Sequence, residues 1–296
     1  MQRMAYAPSN GIQICYDTFG DPGDPALLMV MGFTAQMTLW DERFCRQLAD
    51  RGRFVIRFDN RDCGLSTHFD GVAIDVIALL AAREGGPMPE VPYTLSAFCD
   101  DAFGLLDHLG IERAHILGAS MGGMIVQQMA IEHPERVLTM TSIMSTTGEP
   151  EYGQATPEAI GALLTPPPSE RDAVAERSVS MTKLFASPRY FDPEAARARA
   201  LAAFDRAFYP EGAMRQMGAI GAGGDRAEGL RALAVPTLVI HGRADTLIQP
   251  SGGERTAELV PGANLLLLHD MGHDLPEPLW PLIVDAVISH TVHAIG

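Results

Sequence analysis

Along the chain, short continuous apolar runs alternate with longer stretches whose apolar residues recur every three or four positions. Residues 12–19 are rich in β-forming side chains and end in the turn cluster Gly20-Asp-Pro-Gly-Asp-Pro25. Apolar runs follow at 26–31, 54–59, 114–119, 137–144, 236–241 and 264–269. A run that is apolar on both faces suits a strand of a parallel sheet covered by helices on either side. The intervening stretches 41–51, 96–109, 121–133, 251–260 and 279–292 carry a helical pattern. In 96–109, Phe98, Ala102, Leu105, Leu106 and Leu109 share one face, and Gly110 marks the stop. Such alternation predicts βαβ units and an α/β fold with a doubly wound, mostly parallel sheet.

The alternation breaks twice. Residues 67–95 interpose a helix-like piece (75–83) and a Gly/Pro-rich stretch (85–92), an excursion expected near the mouth of a pocket. Residues 148–231 hold no convincing strand, only the triplet Pro166-Pro-Pro168 and helix-like runs such as 193–208 and 211–220. An all-helical insertion of this size between two core strands reads as a lid over the sheet. The expected organisation is a core of 1–147 and 232–296 with a helical cap at 148–231.

Composition narrows the class. With 296 residues, 47% apolar and 20% charged, the chain has material for a large core and little tendency to disorder. A formal net charge of −15 repels phosphate backbones and anionic lipid, which argues against nucleic-acid or membrane-surface partners. No signal-peptide pattern and no membrane-length apolar run is present. Cys15, Cys45, Cys63 and Cys99 lie far apart without a Cys-x-x-Cys pair and read as free thiols of a reducing compartment, so a cytoplasmic location is expected. The sequence leaves the oligomeric state open.

The densest chemistry is Gly118-Ala-Ser-Met-Gly122, lying between the strand 114–119 and the helix 121–133. A turn that sharp crowds the chain, and glycines two before and two after Ser120 remove clashing side chains. The hydroxyl then stands above the C-terminal edge of the sheet, beside the free N–H groups of a helix start. This is the nucleophile-elbow pattern G-x-S-x-G. Its serine needs a base and the base an orienting acid, in chain order Ser, acid, His. Asp245 of His241-Gly-Arg-Ala-Asp245 and His273 of Met271-Gly-His-Asp274 both follow strands that end at the same edge. Glu149 is the competing acid, while Asp270 and Asp274 are too close in sequence to His273 to orient its ring. His241 and His269 read as core histidines; His108, His115 and His133 read as structural or solvated, and His290 and His293 as exposed. The backbone N–H groups of Met121 and of Phe33, after the bend at Gly32, are the candidate oxyanion-hole donors.

Two further regions surround this candidate site. Asp59-Asn-Arg-Asp-Cys-Gly-Leu-Ser66 reads as a satisfied polar network beside the oxyanion loop, with Cys63 a buried small hydrophobe. In the helical insertion, Phe185, Tyr190, Phe208 and Met214 are candidates for contact with an apolar substrate. Arg189 and Arg215 are candidate carboxylate readers, although lone arginines on helices are usually solvated.

The motifs around Ser120, Asp245 and Gly272-His273 together resemble the α/β-hydrolase superfamily. Val30-Met-Gly-Phe33, the 59–66 segment and the helical insertion match as well. Within that superfamily the chain is similar to the aclacinomycin methylesterase-like branch of serine esterases, which has Val-Met-Gly where His-Gly is commoner. The segment 67–95 is longer than that branch leads one to expect, implying a differently shaped pocket mouth. The resemblance implies hydrolysis of a small-molecule carboxylic ester through an acyl-enzyme on Ser120. His273 would act as base, Asp245 as its orienter, and no metal or organic cofactor would be needed. Lactones, thioesters, C–C bonds and perhydrolysis are alternatives on the same triad, and a non-catalytic receptor is a more distant one.

Overall fold

The computed structural model describes residues 4–83 and 85–293; the side chain of His293 lies outside this description, and so does the exposure expected of it. Strands β1 (Ala5–Ser9), β2 (Ile12–Phe19), β3 (Ala26–Val30), β4 (Phe54–Phe58), β5 (Ala114–Ala119), β6 (Val137–Ile143), β7 (Thr237–Gly242) and β8 (Asn264–Leu268) form one sheet. Its order is β1-β2-β4-β3-β5-β6-β7-β8, with β1–β2 and β2–β4 antiparallel and the other pairs parallel.

Side-chain alternation divides the strands between two apolar layers. Leu28, Ile56, Ile116 and Met140 pack against α3 (Leu95–His108) and α4 (Met121–Glu132) through Phe98, Leu105, Ile125 and Met129. Leu27, Met29, Val55 and Ile240 face the other way, against α1 (Glu42–Ala49) and α11 (Trp280–His293) through Phe44, Leu48, Ile283 and Val287. The central strands β3, β4, β5 and β7 are buried along their whole length, which explains their largely apolar runs, with Arg57, His115 and His241 as buried polar exceptions.

Two strands depart from the sequence reading. β1 was not anticipated, because Ala-Tyr-Ala-Pro-Ser is weakly apolar. The signal lay next door: Asn10 and Gly11, with φ of 48° and 77°, form the tight hairpin turn that joins it to β2. β8 is the edge strand, and Asn264 and Leu265 are exposed rather than covered on both faces. It ends at Leu268, so His269 lies exposed on the following turn and is not a core histidine.

The segment 67–95 contains α2 (Val76–Arg83). Between β6 and β7 run α5 (Pro157–Leu164), α6 (Arg171–Phe185), α7 (Pro193–Arg206), α8 (Gly212–Gly223) and α9 (Ala227–Arg231), with no strand among them. Thr156 and Asp192 cap α5 and α7, each accepting from backbone N–H groups of its own first turn. α9 buries Ala227 and Leu230 in the apolar layer of α3 and α4. α10 (Ser251–Leu259) precedes β8. No described helix is long and apolar enough to cross a membrane.

Candidate active site

Ser120 joins β5 to α4 with φ 58° and ψ −121°, a conformation that few non-glycine residues adopt. Its neighbours make the turn sterically feasible. A Cβ on Gly118 would stand 2.0 Å from the Gly122 carbonyl oxygen, and one on Gly122 would stand 2.1 Å from that of Val30. The backbone is tied on both sides: Ser120 N–H donates to Ile143 O at 2.9 Å, and Ser120 O accepts from Ser145 Oγ at 2.8 Å.

Asp245 lies in the loop after β7 and His273 in the loop after β8. His273 Nδ1 is 2.7 Å from Asp245 Oδ2, and His273 Nε2 is 2.9 Å from Ser120 Oγ. An ionised carboxylate only accepts, so Nδ1 carries the proton and Nε2 is free to accept from the serine hydroxyl. The other carboxylate oxygen, Asp245 Oδ1, accepts from the N–H groups of Leu247 and Ile248, both at 2.9 Å. Burial alone would raise the Asp245 pKa; the neighbouring His273 and His241 outweigh it and bring it down to about 2.

His241 sits on this acid too, which sequence reasoning missed. Its buried Nε2 lies 2.8 Å from Ile248 O and 3.4 Å from Asp245 Oδ2. Both partners are acceptors, so Nε2 carries the proton, and Nδ1 has no partner among the described residues. The signal was the four-residue spacing inside His241-Gly-Arg-Ala-Asp245.

The loop after β3 presses on the serine. A Cβ on Gly32 would stand 3.0 Å from Ser120 Cβ and 3.1 Å from Ala119 O. Among the described residues, neither Phe33 N–H nor Met121 N–H donates to a protein acceptor, which leaves both free for a ligand oxygen. The loop is braced from two directions. Asn60 Nδ2 donates to Met31 O at 2.8 Å, and Thr34 N–H, with φ of 54°, donates to Gln216 Oε1 on α8 at 2.8 Å. Gln216 Nε2 in turn donates to Arg61 O at 2.8 Å.

The charged side chains of the 59–66 segment are paired with protein partners, while Asn60 Oδ1 has none among the described residues. Asp59 accepts from Met37 N–H, Leu65 N–H and Arg206 Nη2. Arg61 and Asp101 form a buried two-bond pair. Asp62 accepts from Phe69 N–H, Tyr93 OH and Arg215. Cys63 is buried, and burial pushes its thiol far above the usual range. Among the described residues, no group of three His, Cys, Asp or Glu side chains is placed to hold a metal ion.

The remaining candidates fall into different surroundings. Phe185 ends α6, is buried, and its carbonyl accepts from His273 N–H at 2.7 Å. Tyr190 is half-buried with the Arg189 guanidinium 5.5 Å from its ring centre. Met214 is half-buried on α8. Phe208 leans on Phe204 and lines a groove of about 450 Å³ with Asp70, Val72, Tyr209, Glu211 and Arg215, whose lining includes neither Ser120 nor His273. Three expectations need correction. Arg215 is neither solvated nor free, because its guanidinium grips Asp62 at 2.8 and 2.9 Å while buried. Glu149, the competing acid, is engaged elsewhere, because Arg255 holds both its oxygens at 2.8 and 2.9 Å. His290 is half-buried, with Nε2 3.2 Å from Met140 O.

Comparison with known proteins gives the chain relatives. A family model described as the alpha/beta hydrolase fold matches residues 25–277. The rhodomycin D methylesterase DauP of Streptomyces sp. (strain C5) is 29% identical, with 92% of each chain covered. The rhodomycin D methylesterase DnrP of Streptomyces peucetius is 28% identical, again with 92% of each covered. An enol-lactonase structure from Burkholderia xenovorans LB400 superposes with a TM-score of 0.76 at 22% identity, covering 97% of this chain and 100% of the other.

Proposed function

The chain belongs to the alpha/beta hydrolase fold family, and from that premise we propose that it is a serine hydrolase acting on carboxylic esters, with Ser120 as nucleophile, His273 as base and Asp245 as the orienting acid. The observation that carries the reading is the continuous hydrogen-bond chain Ser120 Oγ–His273–Asp245, at 2.9 and 2.7 Å. In the first half-reaction Ser120 Oγ attacks the ester carbonyl carbon while His273 Nε2 takes its proton. The developing oxyanion lies against the N–H groups of Phe33 and Met121. His273 then passes the proton to the departing alkoxide, leaving an acyl-enzyme and free alcohol. In the second half-reaction water, deprotonated by His273, attacks the acyl carbonyl, and Ser120 leaves with the proton returned. Asp245 holds the ring tautomer and stabilises the imidazolium throughout.

The substrate class follows from the relatives and from the cap. Two relatives that match over most of their length carry the name methylesterase, which supports an ester of a small alcohol. The helices α5–α8 form a lid that sets the acceptable acid portion, with Phe185, Tyr190 and Met214 as its candidate contacts, and performs no bond-making step itself. The test is a panel of p-nitrophenyl esters of graded chain length beside methyl esters and lactones, with fluorophosphonate labelling mapped by mass spectrometry. Adduct on Ser120 and turnover of esters are expected. Labelling at another serine, or lactone turnover far exceeding ester turnover, sinks the proposal.

A further inference from the structure

We infer that the lid does more than cover the site: Ser187, just after α6, is a positioning residue for the histidine base. The inference rests on the reading of Ser120, His273 and Asp245 as the triad.

His273 sits on a loop with no strand or helix of its own, so no ladder of backbone bonds fixes its ring against Ser120. The core bonds this loop at its start, where Ala244 N–H donates to Met271 O at 2.9 Å; around the histidine itself the bonds come from the lid. Phe185 O accepts from His273 N–H at 2.7 Å. On one side of the histidine, Gly272 N–H donates to Ser187 Oγ at 2.9 Å. On the other, Ser187 donates twice to Asp274 Oδ1, from its hydroxyl at 2.5 Å and from its N–H at 2.9 Å. One fully buried hydroxyl therefore bridges the residues before and after the base. The backbones themselves are in contact there, since a Cβ on Gly272 would stand 2.6 Å from Phe185 O. The same lid segment also holds the loop of the acid: Thr246 Oγ1, next to Asp245, donates to Leu184 O at 2.8 Å.

A lid that only selected substrates would have no need of bonds to both loops of the proposed base and acid. Ser187 touches the loops and not the reacting atoms, so its effect is on where His273 Nε2 stands. Proton transfer is sensitive to that placement, and a misplacement of about 1 Å costs on the order of 10²-fold in rate.

Full-length Ser187→Ala, Asp274→Ala and Asp274→Asn are compared with wild type on one small p-nitrophenyl ester, with fluorophosphonate labelling rates and circular dichroism alongside. Ser187→Ala is expected to lower kcat by roughly 10- to 100-fold, with KM little changed and the labelling rate falling by the same factor. Asp274→Ala should fall equally, and the double variant should be no worse than either single one, because both remove the same bridge. Asp274→Asn keeps Oδ1 as an acceptor for both Ser187 donors and should restore most of kcat. A folded Ser187→Ala or Asp274→Ala with wild-type kcat overturns the inference. So does a loss confined to KM, or a lowered Tm at unchanged kcat. Should Ser187→Ala fail to fold, the contrast between Asp274→Ala and Asp274→Asn decides the matter. Ser120→Ala run in parallel separates the two readings. If it keeps full turnover, the triad and the positioning role both fall; if it is inactive while Ser187→Ala is fully active, only the positioning role does.

Discussion

Strand β3 buries all five of its residues, whereas helix α7 buries only Ala196 of its fourteen. The first is held by apolar area on both faces, where each fully buried Leu or Met contributes about 1.5–3 kcal/mol. The second has little of that and is fastened to the core by polar contacts at a few points. Arg206 meets Asp59 at 2.7 Å, and Gln36 Nε2 donates to Ala203 O and Ala207 O at 2.8 and 2.7 Å; on the following helix, α8, Arg215 meets Asp62. These fastenings land on the loops that carry the proposed chemistry: the oxyanion loop through Gln216 and Thr34, the 59–66 segment through the arginines, and the His273 loop through Ser187. In the proposed reading the core places the loops, and the helical insertion trims them. Segments with few buried apolar contacts open locally at lower free energy than a sheet does, so α7 is expected to open more readily than β3.

The largest expected effect belongs to the core side of this contrast. Asp245→Asn keeps the shape but removes the charge and favours the wrong histidine tautomer, and a loss on the order of 10⁴ in kcat is expected on the scale of chymotrypsin-type proteases. Glu149→Gln, where the chain leaves the core, should change kcat little because its carboxylate is occupied by Arg255. Both are measured on one activated ester with circular dichroism as a folding control. If Glu149→Gln is the crippled variant, the acid has been misassigned.

Next come the fastenings. Arg215→Met leaves Asp62 buried without its cation, which costs on the order of 3–5 kcal/mol. The urea midpoint should drop, and limited proteolysis should cut more readily within 157–223. Replacing both partners, Arg215→Met with Asp62→Asn, should recover much of the loss. A midpoint unmoved by Arg215→Met would erase the distinction drawn between apolar and polar attachment.

Acid should strain both regions in the same direction. Asp245 titrates at about 2 in the folded protein against about 3.9 for an unfolded aspartate, so its stabilising share is complete above about pH 4. That share, about 2–3 kcal/mol at most, is lost as pH falls from about 4 through about 2. For Asp62, burial pushes upward, and the bonds from Arg215, Tyr93 and Phe69 more than reverse it, so the net shift and its acid loss have the same sign. Urea midpoints measured from pH 5 to about 2 should fall more steeply for wild type than for Asp245→Asn. Parallel slopes would mean that the carboxylate carries no such linkage.

How much of this was legible beforehand differs between the two regions for a physical reason. A central strand announces itself because burial on both faces demands a local, unbroken apolar run, as in Leu27-Leu-Met-Val30. At the elbow Gly118 is local as well, since a Cβ there would meet the Gly122 carbonyl, whereas Gly122 answers to the Val30 carbonyl on another strand and is readable only through its place in the G-x-S-x-G pattern. Ser120, Asp245 and His273 were therefore readable from motifs at strand ends, and the structure brings their side chains into hydrogen-bond reach. The fastenings have no local signature. Arg215 and Asp62 are 153 positions apart, and Ser187 and Asp274 are 87 apart. Nothing in the helical period of α8 distinguishes an arginine that points inward to a buried carboxylate from one that points to water. β8 misled for the opposite reason: its apolar run is genuine, but the sheet ends there and no further strand covers its edge.

The smallest expected effect tests the trimming of the oxyanion loop. Thr34 holds a positive φ that a threonine adopts at some cost, and its N–H is occupied by Gln216 Oε1 from the lid. Gln216→Ala removes that acceptor and the second bond to Arg61 O, while the Gly32 contact with Ser120 and the Asn60 bond to Met31 O remain. The loop should relax without leaving, so the Phe33 N–H would be misaimed but still present. A roughly tenfold fall in kcat is expected, below the 10²–10³ that outright loss of an oxyanion donor costs. Because only the oxyanion-stabilised step depends on that aim, KM for a small ester should stay near wild type. Gln216→Glu keeps an acceptor for Thr34 N–H but loses the donor to Arg61 O, so it should lie between the two. Should Gln216→Ala match wild type in kcat and alter only the preferred chain length of the ester, α8 selects substrate without trimming the loop, and the lid's influence on chemistry would rest on Ser187 alone.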